Sequence, residues 1–547
     1  MARFTVRRRE AEEYPSIMAL PSSSVDQTQP APQPQPATVK PGPVTGYLTA
    51  GAERWRWVLL VLVLAFYGLA FQGEFRGQPD SGLHLTIARS LYMGEGFVHP
   101  LGDEVRANPG LAYLLAGVMF VGGPEPFALA NAVMLGIGLA TLGVAFLWFR
   151  LHLGRPTAVL LTTFLALSLM FFKYSFQLMT DMPFLLGVML FLLGWDQLLK
   201  RKAVRPGDLA LLLCGTAIMV AFRTVAITFL GAVMLALLWH TLRSSDRRVW
   251  AAGGVLLVLC IVGLAAALIT SHGTSNDNGP RIAADTQLIA GRLQNLGRTL
   301  TDTVPENVTR LVTAHMAHAV TGVRPDPYTS SLIGLTAIGF GLALFRRHPL
   351  GALLVLAFIV QTLLFIVTER YYLAILPVLL LGWWYAARWL DQRRQWWSVG
   401  LCALLLAGWL VPNSIRMGNF VLLQRETPFL DHHGGGRYGA LFTLRDWLSE
   451  PDTLPSGAAI VTDHRDLHVL VYLTMPLDVT VTSHRHIEAG LDVGSNVYVL
   501  EPMNRGVQRL IERQDWRLGR PVLTVPTQRA TETLRLRPVV KAKADTE

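Results

Sequence analysis

The sequence predicts an α-helical polytopic membrane protein with about eleven transmembrane helices and a small C-terminal α/β domain. Hydrophobic residues make up 51% of the 547 residues and charged residues only 16%, which is more apolar material than the core of a soluble protein needs. From Trp55 onward, apolar stretches of about 15 to 25 residues recur, each long enough to cross a bilayer as a helix. After residue 436 the pattern changes to short, alternating helical and strand-like runs.

Residues 1–53 are predicted to form a disordered cytoplasmic tail. Three arginines at 7–9 precede a stretch rich in Pro, Gln and Ser from Pro21 to Pro43, and such a composition offers too little apolar surface to offset the entropy of ordering. No apolar run of the usual length follows the arginines before residue 55, so we do not expect a cleavable signal peptide.

The membrane domain is predicted to cover residues 54–413. Basic residues cluster in every second connection between the apolar stretches, which is typical of cytoplasmic loops and puts the N-terminus in the cytoplasm. These clusters also account for the net charge of +10, so we exclude nucleic acid as a partner. The predicted spans lie near 55–72, 126–149, 157–174, 183–199, 208–222, 224–240, 250–270, 330–345, 349–367, 371–390 and 397–412.

This topology places the loops 73–125 and 271–328 on the outer face, together with everything after residue 413. The stretch 109–121 is short for a span, and we expect an interfacial helix there.

Residues 414–436 are predicted to be a linker, 437–530 a small extracytoplasmic α/β domain and 531–547 a tail. In this domain we predict helices at 438–448, 467–473 and 506–513 and strands at 458–462, 478–482 and 496–500. No Gly-rich turn follows the first strand, so we expect no cofactor site in this domain.

Three charged residues stand where predicted spans meet the outer face. Asp80 opens an amphipathic helix after Pro79, and it either caps that helix or acts as a base. Asp181 precedes Pro183 at the start of a span and has the same two interpretations. Arg370 lies at the outer end of a span, where it either reaches lipid head groups or binds an anion. The residues alone leave these alternatives open.

Other polar residues have weaker patterns. His315 and His318 are three residues apart on a predicted helix, but no ligand set around them is evident, so we do not expect a metal there. Glu369 is expected to be a solvated residue at the end of a span. Asp196 lies near the inner end of a span and is one of the few ionisable residues in the apolar stretches.

Five short motifs, in this order and on the predicted outer face, resemble those of the GT-C glycosyltransferases. The bacterial branch that includes protein O-mannosyltransferases and aminoarabinose transferases is the most similar in pattern, and the resemblance covers roughly residues 55–390. Many relatives carry Pro or a cationic residue where this chain has Asn108. The motifs are Pro79-Asp80-Ser81, Gly94-Glu95-Gly96-Phe97, Asn108 to Ala116, Thr180-Asp181-Met182-Pro183-Phe184 and Arg370 to Pro377.

The resemblance implies an enzyme that transfers a hexosyl or pentosyl group from a polyprenyl-phosphate donor. The acceptor would be a hydroxyl of a protein, a lipid or an envelope glycan at the extracytoplasmic face of a bacterial inner membrane. Membrane lipids are the other partner that it implies.

On the acceptor side, the resemblance implies that Asp80 is the base that takes the hydroxyl proton. Asp181 matches the second acidic position of the family, where it orients the acceptor, shares the base function or holds a divalent cation. No other cofactor is implied. Ser81 and His84 are expected to contact the acceptor or to position the helix.

On the donor side, the leaving group is a lipid phosphate, already a stable anion, so it needs cationic stabilisation rather than a strong general acid. Arg370 and Arg223 are the candidates for this phosphate contact.

Two other functions fit a polytopic membrane protein: a transporter and a catalytically inactive envelope scaffold of the same fold. A transporter would require ionisable groups near the bilayer midplane and often an internal repeat. Ionisable residues are scarce in the predicted spans and the two halves show no convincing repeat, so the enzyme is the favoured hypothesis.

Overall fold

The computed structural model describes residues 41–101, 108–200, 205–243, 254, 258, 296–364, 369–426, 437–462, 464–488, 493, 496–527 and 533–541. Outside these residues lie the tail up to residue 40, almost all of the predicted span at 250–270 and residues 271–295 of the predicted outer loop.

The described part of the membrane domain is helical, and every predicted span other than that at 250–270 coincides with a helix. The stretch 157–174 is divided into two helices after Ala166. The first ten helices are α1 (Pro43–Arg54), α2 (Arg56–Ala70), α3 (Pro79–Tyr92), α4 (Pro109–Gly122), α5 (Phe127–Leu153), α6 (Arg155–Ala166), α7 (Leu169–Tyr174), α8 (Asp181–Lys200), α9 (Pro206–Phe222) and α10 (Ala226–Arg243).

The second half begins with a helical segment in which α and π turns alternate. Its α-helical parts are α11 (Leu296–Arg298), α12 (Val304–Arg310) and α13 (Met316–Thr321), separated by π-helical Thr299–Thr303 and Leu311–His315. There follow α14 (Pro327–Ala343), α15 (Pro349–Leu364), the 3₁₀ segment Glu369–Ile375, α16 (Leu376–Gln392) and α17 (Trp396–Glu426).

Five of the described helices are long and apolar enough to cross a membrane, and several shorter apolar helices accompany them. The protein is therefore an integral membrane protein. The five are Phe127–Leu153, Asp181–Lys200, Pro327–Arg346, Glu369–Gln392 and Trp396–Glu426.

The prediction of disorder up to residue 53 was wrong for its last part, because α1 begins at Pro43. The buried carboxylate of Asp391 accepts hydrogen bonds from the backbone N–H of Val44 at 3.2 Å and of Thr45 at 2.7 Å. It also accepts one from the Thr45 hydroxyl at 2.7 Å. These contacts satisfy donors that the first turn of a helix leaves unpaired. The cap comes from a residue more than 340 positions away, which no local pattern indicates.

The predicted linker at 414–436 was wrong in its first half, because α17 continues to Glu426. The helix passes through Pro412, and Asn413 beside it fastens this part to the bundle. The Asn413 amide donates to the Val320 carbonyl at 2.7 Å, and its oxygen accepts from the Leu169 N–H at 2.9 Å.

The C-terminal domain contains the helices and strands that the sequence predicts, together with three further strands and one further helix. Its strands β1 to β3 are Ala458–Thr462, Val479–Ser483 and Val497–Glu501, and β4 to β6 are Trp516–Leu518, Leu523–Pro526 and Thr533–Lys541. Its helices are α18 (Arg437–Leu448), α19 (His464–Thr474), α20 (His484–Glu488) and α21 (Arg505–Arg513).

In the described residues these strands form one mixed sheet in the order β2-β1-β3-β6-β4, with β5 also paired to β6. β1 is parallel to both of its neighbours, whereas β6 is antiparallel to β3, β4 and β5. The prediction of a tail at 531–547 was wrong for residues 533–541, because β6 lies inside the sheet. Helices α18 and α19 share one hydrophobic core with the membrane domain.

Candidate active site

The N-terminal turn of α3 carries Asp80 and is held by its neighbours. Pro79 is at the first helical position, and Gln78 and Ser81 form a reciprocal capping box, which satisfies backbone donors of the first turn. The Ser81 hydroxyl also donates to the carbonyl of Leu178 at 2.7 Å. The backbone is thereby fixed, while the Asp80 side chain is 55% exposed.

Arg370 pairs with Asp80 across the two halves of the membrane domain. Its Nη1 donates to Asp80 Oδ2 at 2.8 Å. Arg370 lies in the 3₁₀ segment that precedes α16. The Arg370 side chain is only 21% exposed. The ion pair therefore joins a largely buried guanidinium group to the accessible carboxylate of Asp80.

A second ion pair joins Asp181 to Arg223. Asp181 begins α8 and is buried, and Arg223 stands in extended backbone between α9 and α10. Their side chains are 2% and 12% exposed, and the guanidinium Nη1 donates to Asp181 Oδ1. The other oxygen of Asp181 is buried and has no hydrogen-bond partner among the described residues.

Tyr371 lies beside both arginines. The guanidinium carbon of Arg223 is 4.8 Å from the centre of the Tyr371 ring, and that of Arg370 is 5.6 Å from it. An aromatic face in this range attracts a cation, so the ring holds both guanidinium groups in one cluster.

A small pocket connects these groups. Asp181, Arg223, Arg370 and Tyr371 form its polar wall. Apolar side chains complete it, which lowers the local dielectric and strengthens the interactions of the charged groups. The apolar residues are Phe184, Val225, Phe358, Leu373 and Ala374.

In the described residues of this cluster, each carboxylate is already paired with an arginine. The orphaned oxygen of Asp181 and the half-exposed carboxylate of Asp80 are the candidate ligands for a divalent cation, and magnesium could complete its shell with water and a substrate phosphate. The two guanidinium groups of the cluster repel a cation and favour an anion.

Ser81 and His84 are both buried, and neither lines the pocket. Ser81 is engaged in the capping box, which fits the helix-positioning alternative of the two predicted for it. His84 lies one turn after Asp80 inside α3.

Glu369 was wrongly predicted to be a solvated end residue. Its carboxylate is 26% exposed and binds three side chains from the outer-loop segment. Nη2 of Arg324 donates to both of its oxygens, at 3.1 and 3.0 Å. His315 Nδ1 lies 3.1 Å and His318 Nδ1 3.7 Å from the carboxylate. Burial lowers the pKa of His318 to about 4, although Glu369 acts in the opposite direction. Glu369, the residue before Arg370, thus connects the 3₁₀ segment to the outer loop.

Asp196 is the centre of a different buried cluster at the far end of α8. It is fifteen residues from Asp181, about 22 Å along the helix. Its Oδ2 accepts from Trp148 Nε1 at 2.6 Å and lies 2.9 Å from His152 Nε2 and 2.7 Å from His348 Nε2. The Asp196 carboxylate is therefore occupied by structural hydrogen bonds.

The ring-nitrogen contacts argue against a metal in this cluster, although its potential ligand atoms lie within 4.8 Å of one another. His348 Nδ1 accepts from the Gly351 N–H at 2.9 Å, and Lys200 Nζ lies 3.4 Å from His152 Nδ1. A histidine whose Nδ1 accepts a hydrogen bond carries its proton on Nε2. Metal-bound histidines show the reverse pattern, with the other nitrogen donating. Both Nε2–H groups donate to Asp196.

Asp196→Asn is expected to lower the unfolding free energy by about 1.5 to 3 kcal/mol, the range for hydrogen bonds to a charged group. An amide lacks the carboxylate charge that three donors share. Thermal unfolding in detergent would measure the change, with the exposed Asp302→Asn as control. Equal melting temperatures for the two variants would contradict the structural role of Asp196.

Comparison with known proteins identifies the architecture. The sequence profile of the family described as dolichyl-phosphate-mannose-protein mannosyltransferase matches residues 99–265. None of the curated proteins matches the sequence. The crystal structure of ArnT from Cupriavidus metallidurans in the apo state has 13% sequence identity and a TM-score of 0.54, and the similarity covers 90% of this chain and 98% of ArnT. The chain has the GT-C fold.

Two further structures are similar to this GT-C fold. ArnT from the same organism bound to undecaprenyl phosphate has 12% identity and a TM-score of 0.50, covering 90% of this chain and 98% of that chain. The oligosaccharyltransferase AglB from Archaeoglobus fulgidus, in complex with an inhibitory peptide and a dolichol-phosphate, has 12% identity and a TM-score of 0.47. The match covers 77% of this chain and 64% of AglB.

Within this GT-C fold, four predicted residues meet in one cluster: Asp80, Asp181, Arg223 and Arg370. Tyr371 is part of it and was not among the predicted site residues. Its signal was its position, directly after Arg370 in a motif already singled out.

Proposed function

We propose that the protein is a glycosyltransferase that moves a sugar from a polyprenyl-phosphate donor to an acceptor hydroxyl. The observation that carries this proposal is the cluster in which two carboxylate–arginine pairs meet around Tyr371. The bound carrier in the ArnT structure and the donor named in the matching family support a polyprenyl phosphate as the lipid of the donor.

Asp80 is suited to act as the base. It is the more exposed of the two carboxylates, so an acceptor from outside reaches it. The hydroxyl oxygen would attack the anomeric carbon while its proton passes to the Asp80 carboxylate. The bond between the anomeric carbon and the phosphate oxygen breaks, and the phosphate leaves with the electron pair.

The arginines are suited to hold the phosphate. A guanidinium group has five N–H donors, so Arg370 can keep Asp80 in place and still donate to a phosphate oxygen. Arg223, which is also next to the Tyr371 ring, offers a second guanidinium group for the phosphate. Charge that develops on the leaving phosphate would be stabilised by groups already oriented for it.

Asp181 is suited to orient the acceptor or to share the base function. One oxygen of its carboxylate is buried and has no hydrogen-bond partner among the described residues, so it can accept a hydrogen bond from an acceptor hydroxyl. Its pairing with Arg223 fixes the carboxylate in the wall of the pocket.

The orientation in the membrane is also part of the proposal. The positive charges of the predicted inner loops favour a cytoplasmic N-terminus and an extracytoplasmic C-terminal domain in a bacterial inner membrane. Whether the sugar is a hexose or a pentose depends on pocket residues that contact the ring.

The test is to incubate membranes that contain the protein with a panel of radiolabelled polyprenyl-phosphate hexoses and pentoses and to follow the label. We expect label from one donor to appear in a protein, lipid or glycan fraction, and not in membranes that lack the protein. Label that stays on the carrier with every donor would contradict the proposal.

Arg370→Lys is expected to raise the donor KM about tenfold, since a lysine keeps the charge but cannot form a bidentate fork. Steady-state kinetics at varied donor concentration would measure it. Arg310→Lys is the control, because Arg310 is exposed and pairs only with Glu306 among the contacts described. An unchanged donor KM in Arg370→Lys would exclude the phosphate contact.

A further inference from the structure

We propose that the C-terminal domain positions the helix that carries Asp80, and that Gly82 is the residue through which it does so. This inference rests on the proposed function and assigns a role in it to the C-terminal domain. The contact concerned is the packing of α19 of that domain on α3 of the membrane domain.

The two helices touch backbone to backbone at Gly82. A Cβ placed on Gly82 would lie 2.5 Å from the Val469 nitrogen and 2.6 Å from the carbonyl carbon of His468. Both atoms belong to the main chain of α19, so neither can turn aside as a side chain can. Any larger residue at 82 has to push the helices apart.

The contact continues along the same face of α3. Residues 82, 86 and 89 follow the spacing i, i+4, i+7 of one helix face. Thr86 Oγ1 lies 3.3 Å from the carbonyl oxygen of His468, and Arg89 Nη1 donates to the Tyr472 carbonyl at 3.3 Å. Gly82, Thr86 and Arg89 are buried. The face of α3 that meets α19 is thus shielded from solvent. The polar contacts fix the position of one helix along the other.

Asp80 is on the other side of the same helix. Two residues correspond to about 200° of rotation, so Asp80 faces Arg370 while Gly82 faces α19. Between them, Ser81 is bound to the Leu178 carbonyl. The first turn of α3 is therefore held between the C-terminal domain and the membrane bundle, and a shift at Gly82 must move Asp80 relative to Arg370.

The C-terminal domain has a second attachment that keeps α19 in place. The Tyr472 hydroxyl donates to the Pro124 carbonyl at 2.7 Å, and Arg445 pairs with Glu125 at 2.7 Å. Both partners lie in the connection between α4 and α5. Since α19 is fixed at this end, an added methyl group at Gly82 displaces α3 rather than the whole domain.

The expected kinetic effect depends on which residues of the candidate site belong to α3. Asp80 is on this helix, whereas Arg223, Arg370 and Tyr371 are on other elements. Gly82→Ala is therefore expected to lower kcat about tenfold or more, with less than a twofold change in the donor KM. A smaller folded fraction also lowers the apparent kcat at an unchanged donor KM, so kcat is expressed per folded enzyme, and the melting temperatures of the variants are compared with that of the parent.

The experiment compares purified full-length Gly82→Ala with Gly117→Ala in two measurements. Gly117 is on α4, where an added Cβ meets nothing within 4 Å, so it is the matched glycine control. Hydrogen exchange should show faster exchange of the amides of residues 80–92 in Gly82→Ala and no change in Gly117→Ala. Transfer kinetics should show the kcat effect. Arg89→Gln, which weakens the same interface farther from Asp80, should change both in the same direction by a smaller factor.

The two measurements separate the inference from the proposed function. Hydrogen exchange needs no substrate, so faster exchange confined to α3 supports the packing contact even if no donor is used, and the absence of transfer by the parent then overturns only the enzymatic role. Parent-like exchange in both Gly82→Ala and Arg89→Gln overturns the inference. So does unchanged kcat in these variants when the parent is active.

Discussion

Asp80→Asn is expected to reduce sugar transfer by about 10²- to 10⁴-fold, the range that a positioned base contributes. The amide has nearly the same shape and can still accept a hydrogen bond from Arg370, but it cannot take the proton of the acceptor hydroxyl. Because the Asp80 side chain is half exposed, the protein should fold and insert as the parent does.

The measurement is transfer of label from the donor that the parent uses, at equal amounts of folded protein. Asp452→Asn is the control, since Asp452 is exposed and has a positive φ of 61°, which asparagine tolerates well. Asp80→Glu should recover part of the activity, because it restores a carboxylate at a slightly different distance. Transfer by Asp80→Asn at the parent rate would exclude Asp80 as the base.

The second large effect concerns the buried pair Asp181–Arg223. Removal of one partner leaves an unpaired charge in a buried place, which typically costs about 3 to 5 kcal/mol. Asp181→Asn and Arg223→Gln are therefore each expected to destabilise the protein and to abolish measurable transfer. Thermal unfolding in detergent and transfer assays would record both effects.

The double variant Asp181→Asn/Arg223→Gln separates structure from function. It removes both charges, so most of the lost stability should return. Transfer should stay at least about 100-fold below the parent, because an oriented carboxylate and a guanidinium for the phosphate are both missing. Recovery of transfer together with stability would mean that the pair serves only the fold.

The sequence was sufficient for the parts of this protein that depend on local pattern. Apolar stretches of bilayer length predicted the helices, because a membrane helix must satisfy its backbone internally and present apolar side chains to lipid. In the C-terminal domain, β1 to β3 lie within one residue of their predicted positions. The strands β4 and β5 have only three and four residues. β6 was missed although Leu534 to Arg537 alternates between apolar and charged residues, and its partners in the sheet are distant in sequence.

The candidate site was predictable as a set of residues but not as an arrangement. The motifs pointed to Asp80, Asp181 and Arg370, and Arg223 was predicted as a second cation for the donor phosphate. The pair Asp80–Arg370 joins residues 290 positions apart, and the pair Asp181–Arg223 joins residues 42 positions apart. No local pattern indicates which carboxylate pairs with which arginine. Tyr371 and Glu369 were missed because an aromatic ring and a carboxylate at a span end are ordinary in a membrane protein.

The sequence by itself determined the class of the protein, the approximate positions of its helices and the charged residues suited to transfer chemistry. These follow from hydrophobic length and from residue type, which are local properties. Only the tertiary structure decided that two ion pairs meet around Tyr371, that Asp391 caps α1 and that α19 packs on the helix of Asp80. Such contacts depend on side-chain packing between segments far apart in the chain, and the energy of each contact exists only once the fold has brought its partners together.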